Sequence, residues 1–174
     1  FLFFHDGESL REFQHVNILK FVTDPGFLED VRTLFLKHSH KSRHLDIIYN
    51  SGKFQMVTCE GMTYSPAATE EYELSICILI VLKKRLYPNS FLVLDSAFGR
   101  IQQDAKKELC GMLLEHGSQL ILLVTDAEYE GVVESDKMDD KVDSVKTIIN
   151  NLNPAVNEYK LITNEDQTKI EKCL

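Results

Sequence analysis

Apolar residues recur along this chain with two periods, one helical and one alternating. Leu10, Phe13, Val16 and Leu19 form a partial helical stripe that ends at Asp24-Pro25-Gly26. Asp24 suits the cap of a second helix with Pro25 at its first position, and Phe27, Leu28, Val31, Leu34 and Phe35 follow at helical spacing. Residues 9–38 therefore read as two helices joined by a tight break, or as the end of a long coiled-coil arm. Leu45, Ile47 and Tyr49 then alternate, as do Phe54 and Met56, around Asn50-Ser51-Gly52, which predicts an antiparallel hairpin. Ser65 as cap and Pro66 at the first position predict a helix through the apolar run Leu74–Leu82 to Lys83, Lys84 and Arg85. Acids early and bases late suit the helix dipole, although the β-branched run also fits a strand.

Phe91–Leu94 and Leu120–Val124 are short apolar runs of the kind a parallel sheet buries on both faces. Between them Ile101, Ala105, Leu109, Met112 and Leu113 make one helical stripe, closed by Gly117. A strand–helix–strand unit of this length predicts a parallel crossover, with ligands collecting beyond the strands' carboxyl ends. Asp95, Ser96, Thr125 and Asp126 sit there. The acid-rich segment from Asp126 to Asp143 reads as a solvated loop leading to a helix over Val142–Leu152. Tyr159–Thr163 and Thr168–Lys172 predict a second hairpin.

Composition narrows the function. Net charge of -8 argues against a stand-alone nucleic-acid surface, which needs clustered Lys and Arg. The four cysteines lie far apart without a CxxC pair, so reduced thiols in an intracellular compartment are expected. No apolar run is long enough to span a bilayer, and the first residues, FLFF followed by His5, do not read as a signal peptide, so a piece of a longer protein is expected. His38, His40 and His44 invite a metal reading, but nothing in the sequence completes a ligand set, and a solvated basic connector is preferred.

The order of these elements, with DSAFGR and SQLILLVTD at this separation, resembles the C-terminal lobe of an ABC-type ATPase head. The likeness is to the SMC-related, SbcC-like and DndD-like DNA-maintenance ATPases, and it covers roughly residues 43–174, with residues 1–42 as a helical N-terminal segment. It implies a P-loop-NTPase-like α/β lobe with parallel central strands, flanking helices and two hairpins. FLVLD ending at Asp95 is then similar to Walker B, SAFGRIQQ to the D-loop with Gly99 and Arg100, and GSQLILLVTDAEY to the switch region with Thr125 and Asp126. The resemblance implies Mg2+ and ATP as cofactors, Asp95 holding the metal, and Ser96 beside the attacking water. It also implies a second head as partner, DNA reached through the assembly, and no membrane.

The departures from the pattern are specific. Walker A, GxxxxGKS/T, is absent, so phosphate-cradling amides and lysine must come from an N-terminal lobe. Ser96 stands where a typical head carries Glu, although DndD-like members also tend to lack it. The signature stretch, LSGGE in typical heads, corresponds to Tyr64–Glu70, where Ser65 and Glu70 remain but Pro66 removes an amide and no glycine allows close approach. Gln102 replaces the D-loop Asp. Weak or absent hydrolysis is therefore expected. The alternatives are a pseudo-ATPase scaffold and a receiver-like phosphotransfer domain using Asp95 and Asp126.

Overall fold

A computed structural model describes residues 22–38, 45–99, 101, 103–116, 120–130, 144–152, 157–164 and 167–172. Helix α1 spans Pro25–His38, with the Asp24 carboxylate accepting the Phe27 N–H at 3.0 Å, the cap expected from sequence. Strands β1 (Leu45–Asn50) and β2 (Lys53–Thr58) pair antiparallel, so that Ile47 faces Met56 and Tyr49 faces Phe54. The two turn residues, Ser51 and Gly52, have φ of 51° and 81°, the positive values that a type I′ hairpin turn requires.

Helix α2 (Ala68–Leu86) takes in the whole apolar run, which settles helix over strand. Its start differs from the expected one. Ser65 and Pro66 lie before the helix, and Ala67 is the cap residue. Glu70 reaches back from the first turn to accept the Ala67 N–H at 2.8 Å, satisfying the donor a serine cap would otherwise serve. The Arg85 guanidinium at the other end of α2 bonds Asp24 and Asp30, each at 2.7 Å, which fastens it to the beginning of α1.

Strand β3 (Leu92–Asp95), helix α3 (Gln103–His116) and strand β4 (Leu120–Leu123) form the crossover unit. The two strands pair parallel, Leu92 with Leu120 through Asp95 with Leu123, so both end level. Their coverage corrects the expectation of two buried faces. Leu92 and Leu94 are buried, but Val93 is half-buried and Asp95, Ile121 and Leu123 are exposed. One face of the pair packs on the core and the other is open. A five-residue helix, α4 (Asp126–Glu130), occupies the start of what the sequence suggested was loop. Helix α5 (Val145–Leu152) and the antiparallel pair β5 (Tyr159–Asn164) and β6 (Gln167–Lys172) follow. The expected helix before Val22, the cap at Gly117 and the acidic segment beyond Glu130 lie outside the described residues.

A single core joins the elements from α1 to α5. Phe27, Val31 and Phe35 of α1, Cys77 and Ile80 of α2, Leu92, Phe98, Leu109 and Leu113 around the crossover, and Val145 and Ile148 of α5 all belong to it. Burial pushes the Cys77 and Cys110 thiols up to about 12, so both stay protonated at neutral pH. Exposed Cys59 forms no disulfide among the described residues. No helix among the described residues is long and apolar enough to cross a membrane.

Candidate functional site

The parallel pair brings two loops to one end of the sheet. Asp95, the last residue of β3, is exposed, and the Ser96 hydroxyl donates to its Oδ1 at 3.2 Å. The Ser96 N–H donates to the Leu123 carbonyl at 2.9 Å, one rung past the strand pairing. That bond holds Ser96 at φ 51°, a left-handed conformation costing a non-glycine residue about 1 kcal/mol. The chain then dives inward: Ala97 and Phe98 are buried, and Gly99 returns to the surface. Phe98 thus anchors a loop that has no regular structure of its own.

The second loop begins at Thr125. Its hydroxyl accepts the Glu128 N–H at 3.2 Å, while Glu128 Oε2 accepts the Thr125 N–H at 2.9 Å. This reciprocal pair is the capping box of α4. The other carboxylate oxygen of Glu128 is buried without a hydrogen-bond partner among the described residues. Burial, and next the Glu128 charge, raises the pKa of Tyr72 on α2, so Glu128 also faces that helix. A Cβ at Gly99 would lie 2.8 Å from Glu128 Oε1, so the two loops approach as closely as glycine permits. Gly99→Ala is expected to destabilise the chain by about 1 kcal/mol through overpacking. Urea unfolding of the double variant with Glu128→Ala should show that this penalty disappears.

The sequence-predicted residues thus fall into two groups. Asp95, Ser96, Gly99 and Thr125 meet at the strand ends. Asp126 is exposed and points to Lys160 of β5, 3.9 Å away, a surface pair of little energetic weight. Ser65 is exposed in the loop before α2, whereas Glu70 is buried. The Glu70 carboxylate accepts the Ala67 N–H and, at 3.1 Å, the Tyr64 hydroxyl, whose pKa it raises. Among the described residues, no hydrogen bond joins Ser65 or Glu70 to Asp95, Ser96 or Thr125. Arg100 and Gln102 lie outside the described residues. Glu128 was missed, although Thr-x-x-Glu before an apolar-containing turn is a readable capping signal.

The solved structures supply the comparison. One, from work on ATP-driven dimerization and DNA-stimulated activation of SMC ATPases, superposes with a TM-score of 0.53 at 12% identity, over 85% of this chain and 83% of that one. The fold is similar to that of an SMC ATPase head. A second match, the SmcHead bound to the C-winged helix domain of ScpA, has a TM-score of 0.54 at 10% identity and covers 94% of this chain. The chain spans 46% of the length of that second structure. No protein-family model and no curated protein matches the sequence. At such identities the likeness concerns the head-like α/β fold alone.

His38 corrects the reading of the histidine-rich connector. It is the last residue of α1 and is half-buried, with its ring 5.7 Å from that of His116 at the end of α3. His40 and His44 lie outside the described residues. Burial lowers the pKa of both His38 and His116. Glu115 lies between them, its pKa lowered by the bond from Lys37.

Proposed function

We propose that this chain is the C-terminal half of an SMC-like ATPase head. In this reading it serves DNA maintenance, repair or defence, and binds Mg-ATP at a head–head interface with weak or no hydrolysis by itself. The observation that carries it is the open outer face of β3 and β4, formed by Val93, Ile121 and Leu123 and ending at exposed Asp95. Parallel strands are ordinarily covered on both faces. An N-terminal lobe bearing Walker A would cover this one and bring the missing phosphate cradle to the strand ends.

The residues present fit part of a nucleotide site. Asp95 has an exposed carboxylate with acceptor capacity beyond its one bond from Ser96, which suits a Mg2+ hydration shell. The metal would offset phosphate charge. Ser96, whose hydroxyl is already engaged with Asp95, is a poor general base, which supports slow turnover. Gly99 and Arg100 would face phosphate or the partner head, and Thr125 and Asp126 would sense the terminal phosphate. Ser65 and Glu70 would lie toward the opposite head. Residues 1–42 would lead from a coiled-coil arm, and the protein would work inside the cell.

A pseudo-ATPase scaffold is the second reading, favoured by the polar groups already spent on local structure. Glu70 caps α2, and Thr125 with Glu128 caps α4. One experiment addresses both: the chain is joined to an N-terminal lobe carrying GxxxxGKS/T, and dimerization and phosphate release are followed with Mg-ATP. Dimers that form with Mg-ATP and disappear in Asp95→Asn support the proposal. Dimers without any phosphate release favour the scaffold, and failure to bind ATP with the lobe complete overturns the proposal.

A further inference from the structure

We propose that His38, Glu115 and His116 bind one zinc-class divalent ion that clamps the ends of α1 and α3 together. The three side chains come from the last residues of two helices, where the carbonyl ends of the helix dipoles favour a cation. His38 Nε2 lies 3.6 Å from one Glu115 oxygen, and His116 Nε2 lies 3.7 Å from the other. One ligand atom from each residue can be chosen so that all three lie within 4.8 Å of one another. Ligand atoms around tetrahedral zinc, with bonds of about 2.0–2.1 Å, are separated by about 3.4 Å. Small side-chain rotations therefore suffice to complete the set, with water in the fourth position.

A second, independent observation singles out these nitrogens. Both Nε2 atoms are buried, and neither has a hydrogen-bond partner among the described residues. A buried imidazole serving only as packing is ordinarily given a partner for such an atom. Here two of them converge on the same carboxylate instead. The two rings stand nearly perpendicular, at 88°, so they are not stacked face to face. The set also has the right chemistry, since imidazole nitrogen and carboxylate oxygen are ordinary zinc ligands.

The Lys37 ammonium competes for the site, because it bonds Glu115 directly. Its side chain is 51% exposed, so it can swing into water at little cost. Removing that charge while keeping the length of the side chain must therefore strengthen metal binding. A purely structural ion pair predicts no such gain.

The test is zinc titration of tag-free protein by calorimetry, with cobalt absorption reporting the geometry. The expected result is one ion per chain, a thermal midpoint raised by zinc, and the visible bands of four-coordinate cobalt. His38→Ala and His116→Ala should each weaken binding at least about tenfold, and Lys37→Met should tighten it. Affinity unchanged from the parent protein in both histidine variants would place the ion elsewhere and overturn the proposal, as would the absence of stoichiometric binding. Glu115→Gln, an exposed and nearly isosteric change, keeps the test decisive if the histidine variants do not fold: unchanged affinity there also overturns it.

Discussion

Phe98→Ala is expected to destabilise the fold by about 3–5 kcal/mol, the range found when a fully buried aromatic ring is emptied. Phe98 is 0% exposed, yet it belongs to neither a strand nor a helix. Its loop has few bonds of its own: the Gly99 N–H reaches the Ser96 carbonyl at 3.5 Å, and the Ile101 N–H reaches the Phe98 carbonyl at 3.4 Å. Those are long contacts, so beyond the Ser96 N–H bond to Leu123 it is chiefly burial of the ring that holds the segment down. Domains of this size have net stabilities of about 5–15 kcal/mol, so the loss is a large part of the total. Urea unfolding would read it as a fall in midpoint at unchanged slope. Phe98→Leu, which keeps most of the volume, should cost less than half as much. A loss below about 1 kcal/mol for the alanine variant would mean that the loop is positioned by something other than its ring. Because Ser96 stands two residues earlier at positive φ, the same substitution should also loosen the geometry around Asp95.

What the sequence disclosed depended on how local the physics was. The hairpin at Ser51-Gly52, the Asp24 cap and the strand–helix–strand order were readable because each rests on neighbouring residues. Helix α2 was readable for the same reason, since acids at its start and bases at its end both suit the dipole. Its first residue was not, because Glu70 and Ser65 compete for the same capping task and only the folded chain shows which succeeds. In the candidate site, Asp95 and Ser96 at a strand end were legible. The approach of Gly99 to Glu128 was not, since it needs the two loops in register. The meeting of His38 with Glu115 and His116 likewise depends on two helices ending side by side. The hydrophobic run of β4 also concealed something: an apolar strand does not say whether its second face is covered within the same polypeptide.

That uncovered face gives the other large expected effect. Ile121 is 46% exposed and Leu123 41%, and both project from β4 on the side away from the core. Ile121→Glu together with Leu123→Glu should leave the stability of the chain itself within about 0.5 kcal/mol, as for surface substitutions generally. Association with a Walker A lobe is a different matter. With less than half of each side chain left to cover, full burial would contribute about 0.6–1.4 kcal/mol apiece, and each replacement would instead bury an unpaired carboxylate, which costs more. The combined loss exceeds about 3 kcal/mol, so binding should weaken by more than a hundredfold. Calorimetric titration of one lobe into the other measures this, and thermal unfolding of the variant alone supplies the control. Unaltered affinity would mean that the open face of β3 and β4 is not where a completing lobe docks. A large drop in the variant's own stability would instead mean that the face is already covered within the chain. The two outcomes separate because the substitutions touch the surface that the proposal needs and none of the core that the fold needs.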